Sequence, residues 1–185
     1  GKLSGSFAEA GIDPQGVTDI FISHSHGDHI GGLVNAQGTL SFPNATIRMS
    51  KPEWTHLKGQ EKLAALVAAI TPKVDAFEPG AELVPGVVKA VEIKGHTPGH
   101  SGYDITSGAD SILFVGDTVH HYIVSVQKPE WTIAFDGDAP TAEKSRGVLI
   151  AQSAASGKRI YAVHFPFPGI GKFESRGHGE VWVAE

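Results

Sequence analysis

The stretch FISHSHGDHIGG, residues 21–32, decides how this sequence is interpreted. It places three of the chain's ten histidines and one aspartate within six positions, directly after an apolar run and directly before paired glycines. Imidazole nitrogens and carboxylate oxygens are donors that zinc accepts in proteins. A polar loop that is merely rich in histidine is the alternative interpretation, so the rest of the chain must decide between such a loop and half of a metal site.

The spacing within this stretch fits two binding positions. His24 and His26 are two residues apart, so in an extended turn both side chains can face the same ion. Asp28 and His29 come next. Their side chains are expected to point away from that ion, so they can begin a second binding position for a metal. The neighbouring glycines allow the tight backbone that such a loop requires and leave room for a substrate.

The composition limits the class of protein. A length of 185 residues predicts a single domain over residues 1–185, and the hydrophobic fraction of 41% is ordinary for a globular chain. The net charge of −5 and the scattered lysines and arginines exclude a nucleic-acid-binding surface. There is no cysteine, so disulfides and thiolate metal ligands are excluded and any metal must be bound by nitrogen and oxygen.

No apolar run approaches the length of about 20 residues that a membrane-spanning helix needs, so we expect no membrane partner and a soluble chain. The absence of cysteine fits the cytoplasm and the periplasm equally, so the compartment stays open. The chain begins Gly1-Lys2-Leu3 without an initiator methionine, which favours a processed or truncated product.

Apolar, β-branched runs alternate with helical segments along the chain, which predicts an α/β fold. The predicted strands are residues 17–23, 45–49, 87–93, 103–106, 111–115 and 159–163, the last of these being the final strand. Residues 6–10 are predicted to be the end of a short helix, and the other predicted helices are residues 51–57 with Ser50 as the cap, 61–70 and 140–155.

Four segments with metal-ligand side chains each follow an apolar strand directly. They are residues 24–29, 95–100, 116–117 and 162–164. Several strand ends converge at one edge of a sheet, and sites in α/β folds are usually built there. We therefore expect these segments to meet, and the two oxygens of Asp117 suit a carboxylate that bridges two cations.

These motifs carry a family resemblance. HSHGDH resembles the His-x-His-x-Asp-His signature of the metallo-β-lactamase superfamily, and GHTPGHS, VGDTV and AVHFPFPG resemble its later motifs in the same order. The stretches SFPNATIRMSKPEW, LVPGV and HFPFPGIG are similar to the group that contains methyl parathion hydrolase. The resemblance to acyl-homoserine lactonases is weaker. The resemblance to the superfamily implies an αββα sandwich with a dinuclear metal centre.

The resemblance also implies the ligands of two divalent ions. Seven residues would bind them: His24, His26 and His100 the first, Asp28, His29 and His164 the second, and Asp117 both, together with a hydroxide. Zinc is the favoured ion, and the same donors accept manganese, cobalt or iron. Asp28 is also the expected catalytic residue, because it can orient the nucleophile and move its proton.

Other histidines and acidic residues are expected near the ions without binding them. His96, His120 and His121 are interpreted as neighbours that support the ligands. Asp136 and Asp138 look like a catalytic carboxylate pair, but they precede a proline at a predicted helix start. We interpret them as a helix N-cap.

Aromatic residues are candidates for the wall of a small-molecule pocket. Trp54, Phe165 and Phe167 are the candidates, and ordinary core packing is the alternative for each. In the family the first strands precede the helix that begins this chain, so we expect a chain that lacks its N-terminal strands. Those strands would then come from a second copy of the chain or from a complementing N-terminal segment, unless the chain is a fragment.

The favoured function is that of a metal-dependent hydrolase that uses the hydroxide of a dinuclear centre to cleave small esters, lactones or phosphotriesters. Two alternatives stay open. The first is a thioesterase of the glyoxalase II kind, and the second is a non-catalytic metal-binding fragment. The sequence does not name the substrate.

Overall fold

The computed structural model describes residues 2–185, which divide after Glu78 into two compact units. Each unit has its own β-sheet and its own apolar core. The expectation of a single domain over residues 1–185 stays a prediction. Within residues 2–185 no helix is both long enough and apolar enough to cross a membrane.

The described part of the first unit, residues 2–78, contains four α-helices and three strands. In chain order they are α1 (Leu3–Glu9), β1 (Asp19–Phe21), α2 (Gly27–Ile30), β2 (Thr46–Ser50), α3 (Lys51–Lys58), α4 (Ala64–Ile70) and β3 (Val74–Phe77). The strands form a parallel sheet in the order β1-β2-β3. The short helix α2 lies within the histidine-rich stretch and directly follows His26.

Local signals explain where α3 begins. The Ser50 hydroxyl accepts a hydrogen bond from the backbone N–H of Glu53, and Pro52 occupies the first turn, as the sequence predicts. Leu57 on the inner face of α3 is fully buried beside Met49 of β2. The helix thereby covers one side of the parallel sheet and places Glu53 in the interior.

The second unit, Pro79–Glu185, contains seven strands and two α-helices. They are β4 (Glu82–Val84), β5 (Val88–Glu92), β6 (Ser101–Ser107), β7 (Asp110–Phe114), α5 (Val124–Gln127), α6 (Ala139–Ser156), β8 (Arg159–Tyr161), β9 (Ile170–Arg176) and β10 (Gly179–Ala184). The sheet order is β10-β9-β8-β7-β6-β5-β4. Its neighbouring strands are antiparallel apart from β7 and β8, which are parallel and connected through α6.

Helix α6 packs against this sheet. It begins at Asp138, whose side chain accepts from the backbone N–H of Thr141, and it ends at Gly157 with a φ of 65°. Leu149 and Ile150 face the core of the second unit, where Ile160 is fully buried. The helix therefore fixes the segment that leads into it, which carries several of the site residues described below.

The prediction that residues 159–163 form the final strand is wrong, because β9 and β10 follow as a hairpin. Strands β3 and β4 were not expected either, and each is only three or four residues long. The hairpin around Ser107 and Gly108 is confirmed, with Gly108 at a φ of 60°.

Candidate metal centre

The first unit presents a pair of histidine nitrogens just after β1. His24 Nε2 lies 3.1 Å from His26 Nδ1, and His24 is fully buried. Two imidazole nitrogens on one tetrahedral zinc ion lie about 3.3 Å apart, since each Zn–N bond is about 2.0–2.1 Å. The spacing of this pair therefore fits two ligands of one ion.

Ser23 fixes the orientation of the His24 and His29 rings. Its hydroxyl lies 3.2 Å from His24 Nδ1 and 3.3 Å from His29 Nδ1, so it contacts the same nitrogen of each ring. The Nε2 atoms are thereby turned to the other side, where His29 Nε2 lies 3.4 Å from Asp28 Oδ2. Sequence reasoning missed Ser23, whose only signal is that it directly precedes the motif.

A buried carboxylate holds the loop between His24 and His26. Glu53 on α3 has no exposed surface, and its Oε1 accepts from the backbone N–H of Ser25 at 2.7 Å and from the Ser25 hydroxyl at 2.6 Å. Gln60 donates to the same hydroxyl at 3.3 Å. Sequence reasoning also missed this contact, because the partners lie 28 residues apart and Glu53 reads only as part of a helix start.

The second unit presents a carboxylate surrounded by imidazoles. Asp117 follows β7, and its side chain is 5% exposed. Its carboxylate oxygens lie 3.1 Å from His164 Nε2, 3.3 Å from His120 Nε2 and 3.6 Å from His96 Nε2. A carboxylate has two oxygens, and the position of this one among three imidazoles suits the bridging role that the sequence suggests.

His100, which the sequence analysis expects to be a metal ligand, has both ring nitrogens in contact with main-chain groups. His100 is buried, its Nδ1 lies 3.1 Å from the Ile93 carbonyl oxygen, and its Nε2 accepts from the backbone N–H of Asp117 at 3.0 Å. Both ring nitrogens are thus used by the main chain. Because a histidine binds a metal through a nitrogen lone pair, these contacts favour a supporting role for His100 beside Asp117, and its role as a ligand stays a prediction.

His96, expected only to support the ligands, has the geometry of a ligand itself. Its Nδ1 lies 2.8 Å from Asp136 Oδ1, and its Nε2 is directed at the carboxylate of Asp117. A metal-bound histidine almost always donates its second N–H to a carboxylate, a carbonyl or water in this way. The motif GHTPGH offers two histidines, and the structure favours the first.

Asp136 is not the helix cap that the sequence suggests, and only Asp138 has that role. The side chain of Asp136 is fully buried, and its second oxygen accepts from Arg146 Nη2 at 2.6 Å. Burial raises the pKa of Asp136. The hydrogen bond from His96 and the charge of Arg146 outweigh that effect and hold this pKa below its usual range.

The two remaining histidines of the sequence analysis differ in position. His120 stacks on His164 with ring centroids 5.0 Å apart, and its buried Nδ1 has no hydrogen-bond partner among residues 2–185. His121 is exposed, and its Nδ1 accepts from the backbone N–H groups of Ile123 and Val124 at the start of α5. His120 therefore lies among the metal-ligand candidates of the second unit, whereas His121 stabilises the start of α5.

The three pocket candidates lie in different surroundings. Trp54 is half-buried in the first unit, with Lys58 Nζ 5.5 Å from its ring centroid. Phe165 is buried in the second unit, edge-on to Trp182 at 4.9 Å, and Phe167 is 99% exposed. Their contact with a substrate stays a prediction.

Comparison with protein families gives one clear match. Residues 3–164 match the family model described as the metallo-beta-lactamase superfamily. A search of curated proteins found no match for this chain.

Solved structures give closer parallels. AidC, described as a dizinc quorum-quenching lactonase in complex with a product, is 31% identical with a TM-score of 0.92 over 100% of this chain and 70% of that chain. The hydrolase AbOPH of the beta lactamase superfamily is 31% identical with a TM-score of 0.86 over the same shares.

A third structure shows a ligand at its metal centre. It is described as an N-acyl homoserine lactone hydrolase with the product N-hexanoyl-L-homoserine bound at the catalytic metal center. It is 26% identical with a TM-score of 0.67, over 87% of this chain and 61% of that chain.

Proposed function

Since this chain belongs to the metallo-beta-lactamase superfamily, we propose that it opens lactones of N-acylated homoserine at a centre of two divalent metal ions. The chain is a metal-binding hydrolase with the mixed α/β fold of that family, as the sequence predicts. Its placement in the methyl parathion hydrolase group stays a prediction. The substrate class and the ligand set are the proposal.

One observation carries the proposal: in the second unit, three imidazole nitrogens lie within 3.6 Å of the buried carboxylate of Asp117. Donors of this type and density suit a divalent cation, and the first unit offers a second group of the same kind. The proposed ligands are His24, His26 and His96 for the first ion, Asp28, His29 and His164 for the second, and Asp117 for both. Zinc is the favoured ion, because these donors accept it and AidC is described as dizinc.

Bound at these residues, two divalent ions would supply a water-derived nucleophile near neutral pH and would polarise a carbonyl oxygen. The chain's own side chains control the proton. Asp28 is 62% exposed and can accept the proton of the attacking water. As the bond between the carbonyl carbon and the ring oxygen breaks, Asp28 returns that proton to the leaving oxygen and the hydroxy acid forms.

The surroundings of the second unit's donors support an apolar substrate. Phe135 stacks against His120 with ring centroids 6.3 Å apart and is 68% exposed, and Tyr122 is 38% exposed. Exposed apolar side chains beside polar donors favour a ligand with a polar head and an apolar chain. N-acyl homoserine lactones have both parts.

The test is a substrate panel with and without a metal chelator. It contains N-hexanoyl-homoserine lactone, a p-nitrophenyl ester, a thioester and an aryl phosphotriester. We expect the highest kcat/KM for the lactone and loss of all hydrolysis after chelation. Preference for one of the other substrates would contradict the substrate class, and hydrolysis that survives chelation would contradict the metal centre.

A further inference from the structure

Arg146 is a charged side chain in the interior of the second unit. It is 1% exposed and lies midway along α6. Its Nε donates to the Thr118 carbonyl at 2.8 Å, its Nη1 to the carbonyls of Pro129 and Trp131 at 2.8 and 3.0 Å, and its Nη2 to Asp136. One guanidinium thus contacts three points of the main chain and one carboxylate in the segment between Asp117 and α6.

This arrangement is specific to arginine. Its planar group offers donors in fixed directions, whereas the ammonium of lysine is a compact charge that cannot reach several separate acceptors at once. A buried ion pair contributes little net stability compared with apolar residues of the same size, because both charges lose their hydration. The contacts of Arg146 therefore point to the placement of a segment more than to folding energy.

The same pair leads directly to two proposed ligands. Asp136 uses one oxygen for Arg146 and the other for His96 Nδ1 at 2.8 Å, which fixes the ring so that Nε2 is directed at Asp117. Thr118, whose carbonyl Arg146 holds, is the next residue after Asp117. Arg146 is therefore connected to His96 through the Asp136 carboxylate, and it contacts the residue next to Asp117.

Backbone contacts connect the same segments independently. The N–H of Gly137 donates to the His96 carbonyl at 3.0 Å, and the N–H of Asp138 donates to the Gly95 carbonyl at 2.9 Å. The segment of residues 136–138 thus contacts the His96 loop through a side chain and through two main-chain groups. A shift of this segment would move His96 with it.

We propose that Asp136 and Arg146 are positioning residues that hold His96 and Asp117 in place before a metal ion binds, and so set the metal affinity of the second unit's donors. The inference rests on the proposed function, because it concerns the same ligands. It assigns to the pair an effect on metal binding that is separate from its contribution to folding.

The test compares the full wild-type chain with Asp136→Asn and Arg146→Lys, and with Asp138→Asn as the matched control. Asp138 is the N-cap of α6, two residues away, and it has no contact with His96. Zinc affinity is measured by competition with a chromophoric chelator, and the ligand field is measured from the visible spectrum of the cobalt-loaded chain. Melting of the metal-free proteins is measured beside them.

We expect Asp136→Asn and Arg146→Lys to weaken zinc binding by about 10- to 100-fold, the usual effect of removing a group that orients a ligand, and to shift the cobalt bands. Asp138→Asn should leave the zinc affinity and the cobalt spectrum unchanged and alter the melting temperature little, because asparagine caps a helix about as well as aspartate. Unchanged zinc affinity and an unchanged cobalt spectrum in Asp136→Asn would contradict the proposal, as would an equal loss of affinity in Asp138→Asn. If Arg146→Lys does not fold, Asp136→Asn decides.

The two proposals fail in different ways. A wild-type chain that binds no zinc overturns the metal centre and the positioning role with it. A wild-type chain that binds zinc but opens no lactone overturns only the substrate class, and the affinity difference between Asp136→Asn and Asp138→Asn still tests the positioning role.

Discussion

His96 and His100 lie four residues apart in one loop, and both are buried, yet the protein uses their nitrogens differently. Both ring nitrogens of His100 form hydrogen bonds with main-chain groups, one of which is the N–H of Asp117. His96 gives one nitrogen to Asp136 and directs the other at Asp117. At this scale the role of a histidine follows from the partner of its second nitrogen.

The first prediction separates these two roles. His96→Ala should reduce the number of bound ions from the two that we propose to one, because it deletes a proposed ligand. His100→Gln should retain both ions with weaker affinity, since the amide oxygen of glutamine can still accept from the Asp117 N–H. Elemental analysis after dialysis measures the number of ions per chain. The opposite pattern would restore His100 as the ligand.

The second prediction concerns an ion pair away from the site. The Nε of Arg48 donates to Asp19 at 2.8 Å, and this hydrogen bond holds the pKa of Asp19 below its ordinary value of 3.8. Its stabilisation is therefore fully present above pH 3.8 and is lost as the pH falls through the lowered pKa. Asp19→Asn should reduce the free energy of unfolding by roughly 0.2–1 kcal/mol at pH 7.

Urea unfolding at neutral pH and at acid pH checks this prediction. The difference between wild type and Asp19→Asn should shrink in acid, where the wild-type carboxylate also becomes neutral. Asp75→Asn is the control, because Asp75 is the other partner of Arg48 and is more exposed, at 56% against 30%. A difference that stays constant with pH would show that the effect is not electrostatic.

At the scale of elements, the loop that carries His96 is fitted closely to the start of α6. Gly95 has a φ of 117°, and a Cβ atom at this position would lie 2.1 Å from the backbone nitrogen of Ala142. Real Cβ atoms do not approach backbone atoms so closely, so only glycine allows this contact. The position of His96 therefore depends on a glycine that has no chemistry of its own.

The third prediction is that Gly95→Ala destabilises the protein by more than about 2 kcal/mol and weakens zinc binding, because it combines backbone strain with a clash. Gly108→Ala is the matched control, since Gly108 also has a positive φ but nothing lies within 4 Å of the added atom. It should cost about 1 kcal/mol and leave zinc binding unchanged. Equal effects in thermal melts and zinc titrations would show that the contact with Ala142 is unimportant.

The elements that sequence reasoning predicted correctly have strong local signals. Ser50 and Pro52 mark the start of α3, Asp138 marks the start of α6, and Gly108 marks a hairpin. Strands β3 and β4 were missed because they are only four and three residues long. Strands β9 and β10 form a local hairpin, but charged residues and Gly171 interrupt the apolar pattern of β9, so its signal as a strand is weak.

The site shows the same division. The motif residues could be listed from the sequence, because donor types at fixed spacing have a chemical meaning. The buried carboxylates that hold the ligand loops could not be identified, because Glu53 contacts Ser25 across 28 residues and Asp136 contacts His96 across 40. The choice between His96 and His100 depends on those contacts, so it required the structure.

At the scale of the whole molecule, charge connects metal binding with stability. The chain carries a net charge of −5, and two divalent cations would nearly neutralise it. A ligand that binds only the folded state stabilises it by mass action, by about 2.7 kcal/mol at a free concentration of 100 times its Kd. Metal binding should therefore appear in unfolding experiments as well as in activity.

The fourth prediction follows from this linkage. Removal of metal with a chelator should lower the melting temperature, and addition of excess zinc should restore it. In a variant without Asp117 the chelator should have a much smaller effect, because that carboxylate is proposed to contact both ions. Calorimetric melts with and without chelator measure the change in melting temperature. A wild-type melting temperature that is the same in both would contradict the prediction.

A zinc titration of the chelated chain, with the rate of N-hexanoyl-homoserine lactone opening measured at each step, tests the dinuclear centre and the substrate class together. We expect no rate without zinc and a rate that rises until two zinc ions are bound per chain. A full rate in the zinc-free protein, or no rate with two zinc ions bound, would contradict this expectation.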